Sequence, residues 1–291
     1  MDKPKIVLRE ERNFSGVINA VFGFIGQEFK PLFKAMLVYG SIPMLLAGIA
    51  TAMYTKQSFE NIGKPANSIL EAISNTGVVG PWYFLTLLGT FIAYFIMSGI
   101  TFAYLRLYRE KGFGNFTTSD AWDLFVSKSG KLLGHQILAS FIIFGFFLLL
   151  IIPGIYVAVP MSLVMMVAME EDVTFGDNWK RCFYLIRDNW WATFGIIIVI
   201  SIILSVLSSI ASLPATIYTV VYGITKGAES NPAEMNTTFL SISFIVATFV
   251  KLLLYVILFV TIGIQYYNLV EQKDKVSLLD KINTISSSDQ V

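Results

Sequence analysis

Six long apolar runs constrain this chain more than any other feature. They lie at about residues 35–54, 82–105, 136–152, 154–169, 191–213 and 240–267. A helix needs roughly 20 mostly apolar residues to cross the hydrocarbon core of a bilayer. Only 14% of the residues are charged, whereas a soluble domain carries about 25%. The sequence therefore predicts an all-α integral membrane bundle with six transmembrane helices across residues 35–268.

The third and fourth runs are short, and only Pro153 and Gly154 separate them. Proline cannot continue the hydrogen-bond ladder of a helix and disfavours helix in the residue before it, while glycine can adopt the left-handed conformation of a turn. We therefore predict a helical hairpin that turns at Pro153 and Gly154, at the outer face of the membrane. Pro160 is expected to kink the fourth span rather than end it.

Lysine and arginine are distributed unevenly between the predicted loops. All but four of the 21 basic residues lie before the first span, after the second, after the fourth or after the sixth. Positively charged loops stay on the cytoplasmic side of a membrane. The N-terminal segment 1–34 and the tail 269–291 are therefore predicted to be cytoplasmic, and the loops 55–81 and 214–239 are predicted to face away from the cytoplasm.

Three of the predicted cytoplasmic segments have an amphipathic stretch that runs directly into a span. These stretches begin at Phe14, Ser119 and Phe175. In the first, one face is predicted to carry Val17, Val21, Ile25 and Phe29. In the third, one face is predicted to carry Trp179, Cys182, Phe183, Ile186 and Trp190. Such helices lie in the membrane interface. They either fix the depth of the spans or form a docking surface for a partner or for anionic lipid.

A series of motifs between Phe102 and Ile200 supports a family resemblance. The order is S-D-A-W, a long apolar run, I-P-G-I-Y, an acidic pair, N-W-K-R and W-W. It resembles a group of bacterial multi-pass proteins that includes the membrane domain of some glycerophosphodiester phosphodiesterases and the YciC-like membrane proteins. The tail from Gln265 resembles that of stand-alone members from Bacteroidetes-type bacteria. The resemblance implies an inner-membrane protein of a family without a settled activity.

Residues that could carry catalysis are scarce. One cysteine and one histidine exclude a cysteine cluster and any site that needs two histidines. The sequence has no H-E-x-x-H motif, no nucleophile elbow and no P-loop. We therefore predict a protein that is not an enzyme and has no cofactor or metal. His135 is interpreted as an interfacial polar residue and Cys182 as a packed thiol.

Partners are predicted from the same composition. The 21 basic and 20 acidic residues nearly cancel, so no overall field favours a nucleic acid. The leading hypothesis is a membrane scaffold or accessory domain that interacts with membrane lipid or with a protein partner on the cytoplasmic face. The alternative is a small-solute transporter or channel.

The end of the fourth span carries the acidic cluster Glu170, Glu171 and Asp172. Negative charge is unfavourable at the C-terminus of a helix, so a basic group should compensate it. The candidates are Arg181, Lys180 and the basic residues of the second loop. Two alternatives to a structural ion pair remain. The cluster could be a solvated end of the span, or it could act in transport or binding.

Polar groups inside the last two spans are the candidate residues for the transporter or channel hypothesis. Lys251 lies about 11 residues into the sixth span, where an ionisable group is rare and suggests function; its stem could instead extend toward the interface. The fifth span has a stripe of hydroxyl groups, formed by Ser201, Ser205, Ser208 and Ser212. Small residues at this spacing favour close helix packing, although a polar stripe could line a pathway.

Overall fold

The protein is all-α, as the sequence predicts. The structure, a computed structural model, describes residues 5–61, 68–76, 78, 80–226 and 235–276. This part of the chain contains helices and no strand. In chain order the helices are α1 (Phe14–Ala35), a π-helical turn (Met36–Gly40), α2 (Ser41–Asn61), α3 (Ile69–Asn75), α4 (Pro81–Lys111), α5 (Thr118–Leu149), α6 (Ile151–Met161), α7 (Val164–Glu170), α8 (Phe175–Ile186), α9 (Trp190–Lys226), α10 (Thr237–Leu254) and α11 (Val256–Asp274).

Six helical segments in the described ranges are long and apolar enough to cross a membrane. They are Phe14–Asn61, Pro81–Lys111, Thr118–Leu149, Ile151–Glu170, Trp190–Thr225 and Thr237–Asp274. The protein is therefore a multi-pass membrane protein. Residues 277–291 of the predicted tail, and residues 62–67 and 227–234 of the two predicted outer loops, lie outside the described residues.

The chain divides into two compact units that the sequence pattern does not reveal. Unit 1 comprises Met1–Ala35, Ser98–Ser201 and Val256–Val291, and unit 2 comprises Met36–Met97 and Ile202–Tyr255. The boundary residues fall within or between long apolar helices, so composition does not change where one unit ends. Both units are assembled from segments that are distant in the sequence.

The centre of unit 1 is α11. Every residue from Phe259 to Glu271 is buried, and a helix that is buried on all sides must satisfy its polar groups within the protein. Gln265 donates a hydrogen bond of 2.8 Å to the hydroxyl of Thr193 on α9. Asn268 accepts one of 2.7 Å from the backbone N–H of Arg12. These bonds connect the N-terminal segment and α9 to the central helix.

The hairpin of unit 1 turns earlier than predicted. Leu150 is the extended residue between α5 and α6, with φ −158° and ψ 144°. Pro153 lies in the first turn of α6, where its missing N–H would have no helical partner in any case. A Cβ atom on Gly154 would lie 2.6 Å from Cγ of Phe147. The predicted turn at Pro153 and Gly154 is therefore wrong in position, and Gly154 instead allows α5 and α6 to approach closely.

Threonine side chains cap the two helices, α5 and α8, that begin within the predicted cytoplasmic loops. Thr117 and Asp120 form a reciprocal capping box at the start of α5. The hydroxyl of Thr174 accepts a bond from the backbone N–H of Asp177 and donates one of 2.7 Å to its carboxylate. Helix α8 thus begins at Phe175, and Asp177 supports the Thr174 cap from within the first turn.

Unit 2 is held together by close helix contacts at small residues. A Cβ atom on Gly48 of α2 would lie 3.2 Å from the backbone oxygen of Ile245 on α10. A Cβ atom on Gly89 of α4 would lie 3.2 Å from Cα of Ala47. Small residues let membrane helices approach in this way. These contacts set the packing of α2 against both neighbours.

Candidate functional site

The C-terminal end of α7 is where several charged residues of unit 1 meet. The last carbonyl groups of a helix have no partner within it. The carbonyl of Met169 accepts hydrogen bonds from the guanidinium of Arg106 on α4 and from Nζ of Lys128 on α5, the latter at 3.1 Å. Two cations therefore stabilise the negative end of this helix, immediately before the acidic cluster.

Glu170 is the most buried carboxylate of the cluster, with a side chain that is only 4% exposed. Its Oε2 lies 2.9 Å from Nη2 of Arg109 on α4. Its Oε1 accepts a hydrogen bond of 2.6 Å from the hydroxyl of Tyr267 on α11. A buried charge is stable only when it is paired and its remaining lone pairs are satisfied. The contacts with Arg109 and Tyr267 meet both conditions.

Glu171 is paired with a different helix. The Nε of Arg181 on α8 lies 2.9 Å from Oε2 of Glu171, and the hydroxyl of Tyr266 donates to Oε1 at 2.9 Å. The same guanidinium also binds the carboxylate of Asp274 at the end of α11. Burial opposes the charge of Arg181, but the hydrogen bond with Asp274 and the charge of Glu171 outweigh it and raise the pKa of Arg181. Arg181 is thus held as a cation between two carboxylates.

Asp172 completes the cluster on the surface. Its side chain is 80% exposed, and its Oδ1 lies 2.6 Å from Nζ of Lys131 on α5. The hydrogen bond from Lys131 and the charge of that lysine hold the pKa of Asp172 below its usual range. An exposed pair of this kind contributes little to stability. The three neighbouring carboxylates therefore have three different basic partners, and only two of the pairs are sheltered from solvent.

This arrangement is the one that the ion-pair interpretation of the acidic cluster predicts. Arg181 and four basic residues of the second loop are in place, while Lys180 is exposed. The sequence could not identify Tyr266 and Tyr267 as partners, because almost 100 residues separate them from the cluster. We name the group formed by residues 170–172 and their partners the carboxylate network.

A second feature of unit 1 is a groove of about 820 Å³ formed by α6, the end of α8 and the start of α9. Its apolar wall includes Ile152, Ile155 and Pro160 of α6, opposite Trp191 and Phe194 of α9. Ile152 is 81% exposed and Trp191 is 79% exposed. In a membrane protein, exposed apolar side chains face hydrocarbon or a partner, so it is the concave shape that distinguishes this surface as a candidate ligand site.

Trp190 joins α6 to α9 at the back of the groove. Its ring stacks on Tyr156 with centroids 5.8 Å apart and on Phe194 at 5.0 Å. Its indole N–H donates a hydrogen bond of 3.1 Å to the backbone carbonyl of Tyr156. Pro160 lies four residues after Tyr156 and has no N–H to offer that carbonyl. Trp190 therefore satisfies an acceptor that the proline leaves free.

Two charged residues, Arg187 and Asp188, form the polar edge of the groove. Asp188 forms an ion pair with Lys273 of α11, and this hydrogen bond and charge lower the pKa of Asp188. Arg187 is exposed, and no described carboxylate lies within ion-pair distance of its guanidinium. The edge therefore carries a net positive charge that is open to a ligand.

The candidates for transport lie elsewhere. Lys251 is exposed in the last turn of α10 in unit 2, where a cation is favourable for the helix dipole. Neither this residue nor the serine stripe lines the groove of unit 1. A void of about 10 Å³ in unit 2 is lined by residues of α2 and α10 but by none of these candidates.

None of the four serines of the stripe is buried. Ser205 is exposed, and Ser201, Ser208 and Ser212 are only partly covered. Ser212 donates its hydroxyl hydrogen to the backbone carbonyl of Ser209 at 2.9 Å. The packing interpretation of the stripe therefore receives no support from the burial of these four residues.

The single cysteine and the single histidine are both buried in unit 1. The Sγ atom of Cys182 lies 3.2 Å from Oδ1 of Asn178, and burial raises the pKa of this thiol. It is a packed thiol, as predicted. Nδ1 of His135 hydrogen-bonds the backbone carbonyl of Lys131 at 2.8 Å, and the ring contacts Phe175. His135 is therefore buried in the protein, whereas the sequence predicted a polar residue at the membrane interface.

Glu28 on α1 is a buried acid that the sequence pattern did not single out. It is 2% exposed, and one carboxylate oxygen accepts a hydrogen bond from Tyr104 on α4. The other oxygen has no partner among the described residues. The predicted face of α1 is partly wrong, because Phe29 is exposed while Phe24 is buried with Glu28. Repeated steps of four residues drift around a helix of 3.6 residues per turn, so the buried stripe needs steps of three as well.

Comparison of the chain with family models, with curated proteins and with solved structures finds no match. The resemblance to the bacterial membrane domains thus stays a prediction. In the part of the chain that the structure describes, no group of three or more His, Cys, Asp or Glu side chains is placed to hold a metal ion.

Proposed function

We propose that this protein is a non-enzymatic membrane scaffold or accessory protein that interacts with membrane lipid or with a protein partner. The observation that carries the proposal is the carboxylate network. It joins α4, α5, α7, α8 and α11 through charges that neutralise one another, and its most buried carboxylate already has both a cation and a hydroxyl partner. Such a network stabilises a fixed arrangement of helices and leaves no buried carboxylate of the cluster free for a substrate.

The proposal includes a location. We place the protein in the inner membrane of a bacterium, with both termini on the cytoplasmic side. The excess of basic residues in the segments at the two termini and after the second and fourth spans supports this orientation. The carboxylate network and the charged edge of the groove are then cytoplasmic, where a soluble partner could reach them.

Isolation in native lipid tests the proposal directly. The full chain is extracted with a polymer that retains surrounding membrane, after brief crosslinking in cells, and its lipids and proteins are identified by mass spectrometry. We expect a lipid class or a protein to be enriched over the bulk membrane. A lipid composition equal to that of the bulk membrane, with no crosslinked protein, would contradict the scaffold hypothesis.

A flux measurement separates this proposal from the transport alternative. The purified chain is reconstituted into vesicles, and ion conductance and solute-driven swelling are recorded. We expect values equal to those of protein-free vesicles. A conductance that is present in the parent and lost in Lys251→Met would favour a channel or transporter instead.

A further inference from the structure

The groove of unit 1 has the features of a site for one particular kind of ligand. Its wall is apolar and aromatic, with Ile152 and Trp191 about four-fifths exposed. In a multi-pass membrane protein, apolar side chains this open are covered by hydrocarbon or by protein. The concave shape and the volume of about 820 Å³ fall within the range of about 300–1,000 Å³ of ligand sites. The groove is therefore better suited to hold a single acyl chain than to face a flat layer of lipid.

The charges at the edge of the groove determine the headgroup. Arg187 is exposed and has no carboxylate partner among the described residues, whereas Asp188 beside it is paired with Lys273. Because Lys273 is paired with Asp188, the one acid among the described residues that line the groove, this edge keeps the net positive charge of Arg187. Guanidinium groups bind phosphate through parallel hydrogen bonds, and this geometry is their particular strength.

The aromatic residues agree with this position. Trp190 and Trp191 follow directly after Arg187, Asp188 and Asn189 in the sequence. Indole rings concentrate at the level of lipid headgroups, where one end is apolar and the other is polar. The order from charged edge to indole to aliphatic wall matches the order from phosphate to glycerol to acyl chain.

We propose that this groove binds one anionic membrane phospholipid, with its phosphate at Arg187 and an acyl chain along the wall formed by Ile152, Ile155 and Phe194. The inference rests on the proposed function, because it names the lipid that the scaffold would hold. It goes further in fixing the headgroup charge and the residue that recognises it. The tryptophans contribute the interfacial surface, and Asp188 contributes no repulsion while Lys273 is paired with it.

Native mass spectrometry of the full chain can measure the selectivity. The protein is reconstituted in vesicles of equal parts phosphatidylglycerol and phosphatidylcholine, extracted in mild detergent and examined for bound lipid. We expect one phosphatidylglycerol to remain in preference to phosphatidylcholine. Arg187→Gln should reduce that preference roughly fivefold, the value expected for one basic residue at an anionic surface.

Lys180→Gln is the matched control. Lys180 is also basic and exposed, but it lies within α8 and does not line the groove, so this variant should keep the preference of the parent. A third variant, Ile155→Trp, should fill the wall and lower retention of both lipids. Arg187 and Lys180 are exposed, so neither glutamine variant should disturb folding, and the burial of Cys182 can be checked in each by thiol labelling.

Three results would overturn the inference. Equal retention of the two lipids by the parent would mean that lipid forms only a surrounding layer. Equal loss in Arg187→Gln and Lys180→Gln would place the charge recognition elsewhere. A dimer signal that Ile155→Trp abolishes would show that a second copy fills the groove. In each case the scaffold hypothesis would still be judged separately, by enrichment in native membrane and by the absence of flux.

Discussion

The pair between Glu170 and Arg109 offers the sharpest test of how the carboxylate network works. Glu170→Gln removes a charge whose side chain is 4% exposed. It leaves Arg109 with Glu110, which is 37% exposed and lies 3.0 Å away, as its remaining carboxylate partner. Removal of one partner from a buried pair costs about 3–5 kcal/mol. We expect about 3 kcal/mol, at the low end of that range, because glutamine can keep the hydrogen bond from Tyr267.

The cysteine of unit 1 provides the assay. Cys182 is the only cysteine of the chain and is fully buried, so a fluorogenic thiol reagent in detergent solution reports the opening of unit 1 during heating. A loss of about 3 kcal/mol corresponds to a shift of about 6–12 °C for a chain of this size, on the scale measured for soluble proteins. Glu170→Gln should therefore open well below the temperature of the parent.

Asp172→Asn is the matched control, since it changes an adjacent carboxylate that is 80% exposed. Its opening temperature should stay close to that of the parent. The double change of Glu170 and Arg109 to glutamine and leucine should recover part of the loss, because the cation is then removed together with its buried partner, and Glu110 keeps its ion pair with Arg106. If Asp172→Asn lowers the opening temperature as much as Glu170→Gln does, burial does not determine how much each ion pair contributes to stability, and the reasoning is wrong.

Three further predictions concern other parts of the fold. Gly154→Ala should lower the opening temperature by several degrees, because its Cβ atom would meet an aromatic ring at 2.6 Å, whereas Gly145→Ala meets nothing within 4 Å and should not. The pKa of Asp188 is lowered in the folded protein, so the stability that it provides is present above pH about 4 and is lost as the pH falls through its folded pKa; Lys273→Met should remove this part of the acid dependence in a pH series of thiol labelling. Lys251→Met should preserve the abundance of the protein in the membrane, since the lysine is exposed, and a large loss of abundance would show that its charge is needed for folding.

The apolar runs predicted the membrane class well because span length is a direct physical requirement. The position of the hairpin turn was harder to predict, since proline is tolerated in the first turn of a helix as readily as it is in a loop. The pattern therefore could not distinguish a turn at Pro153 from one at Leu150. What decides it is the packing of Phe147 against Gly154, which is a contact between two helices.

The sequence predicted that basic residues compensate the acidic cluster, but it did not predict which residues these are. A carboxylate at a helix C-terminus requires compensation, and this argument led to Arg181. It could not select Arg109 over its neighbours, because the choice depends on how α4 crosses α7. Glu28 was missed for a related reason: its place on the buried stripe of α1 depends on alternating steps of three and four residues, which the apolar positions alone did not reveal.

The hydrogen bond between Trp190 and the carbonyl of Tyr156 links two positions that are 34 residues apart in the sequence. Alanine at position 160 would return an N–H to that carbonyl and remove the need for the indole, whereas loss of the indole while Pro160 remains would leave an acceptor bare at a cost of about 1–3 kcal/mol. The two residues should therefore be inherited together. Relatives that lack the proline should be free to replace the tryptophan by phenylalanine, and relatives that keep the proline should not.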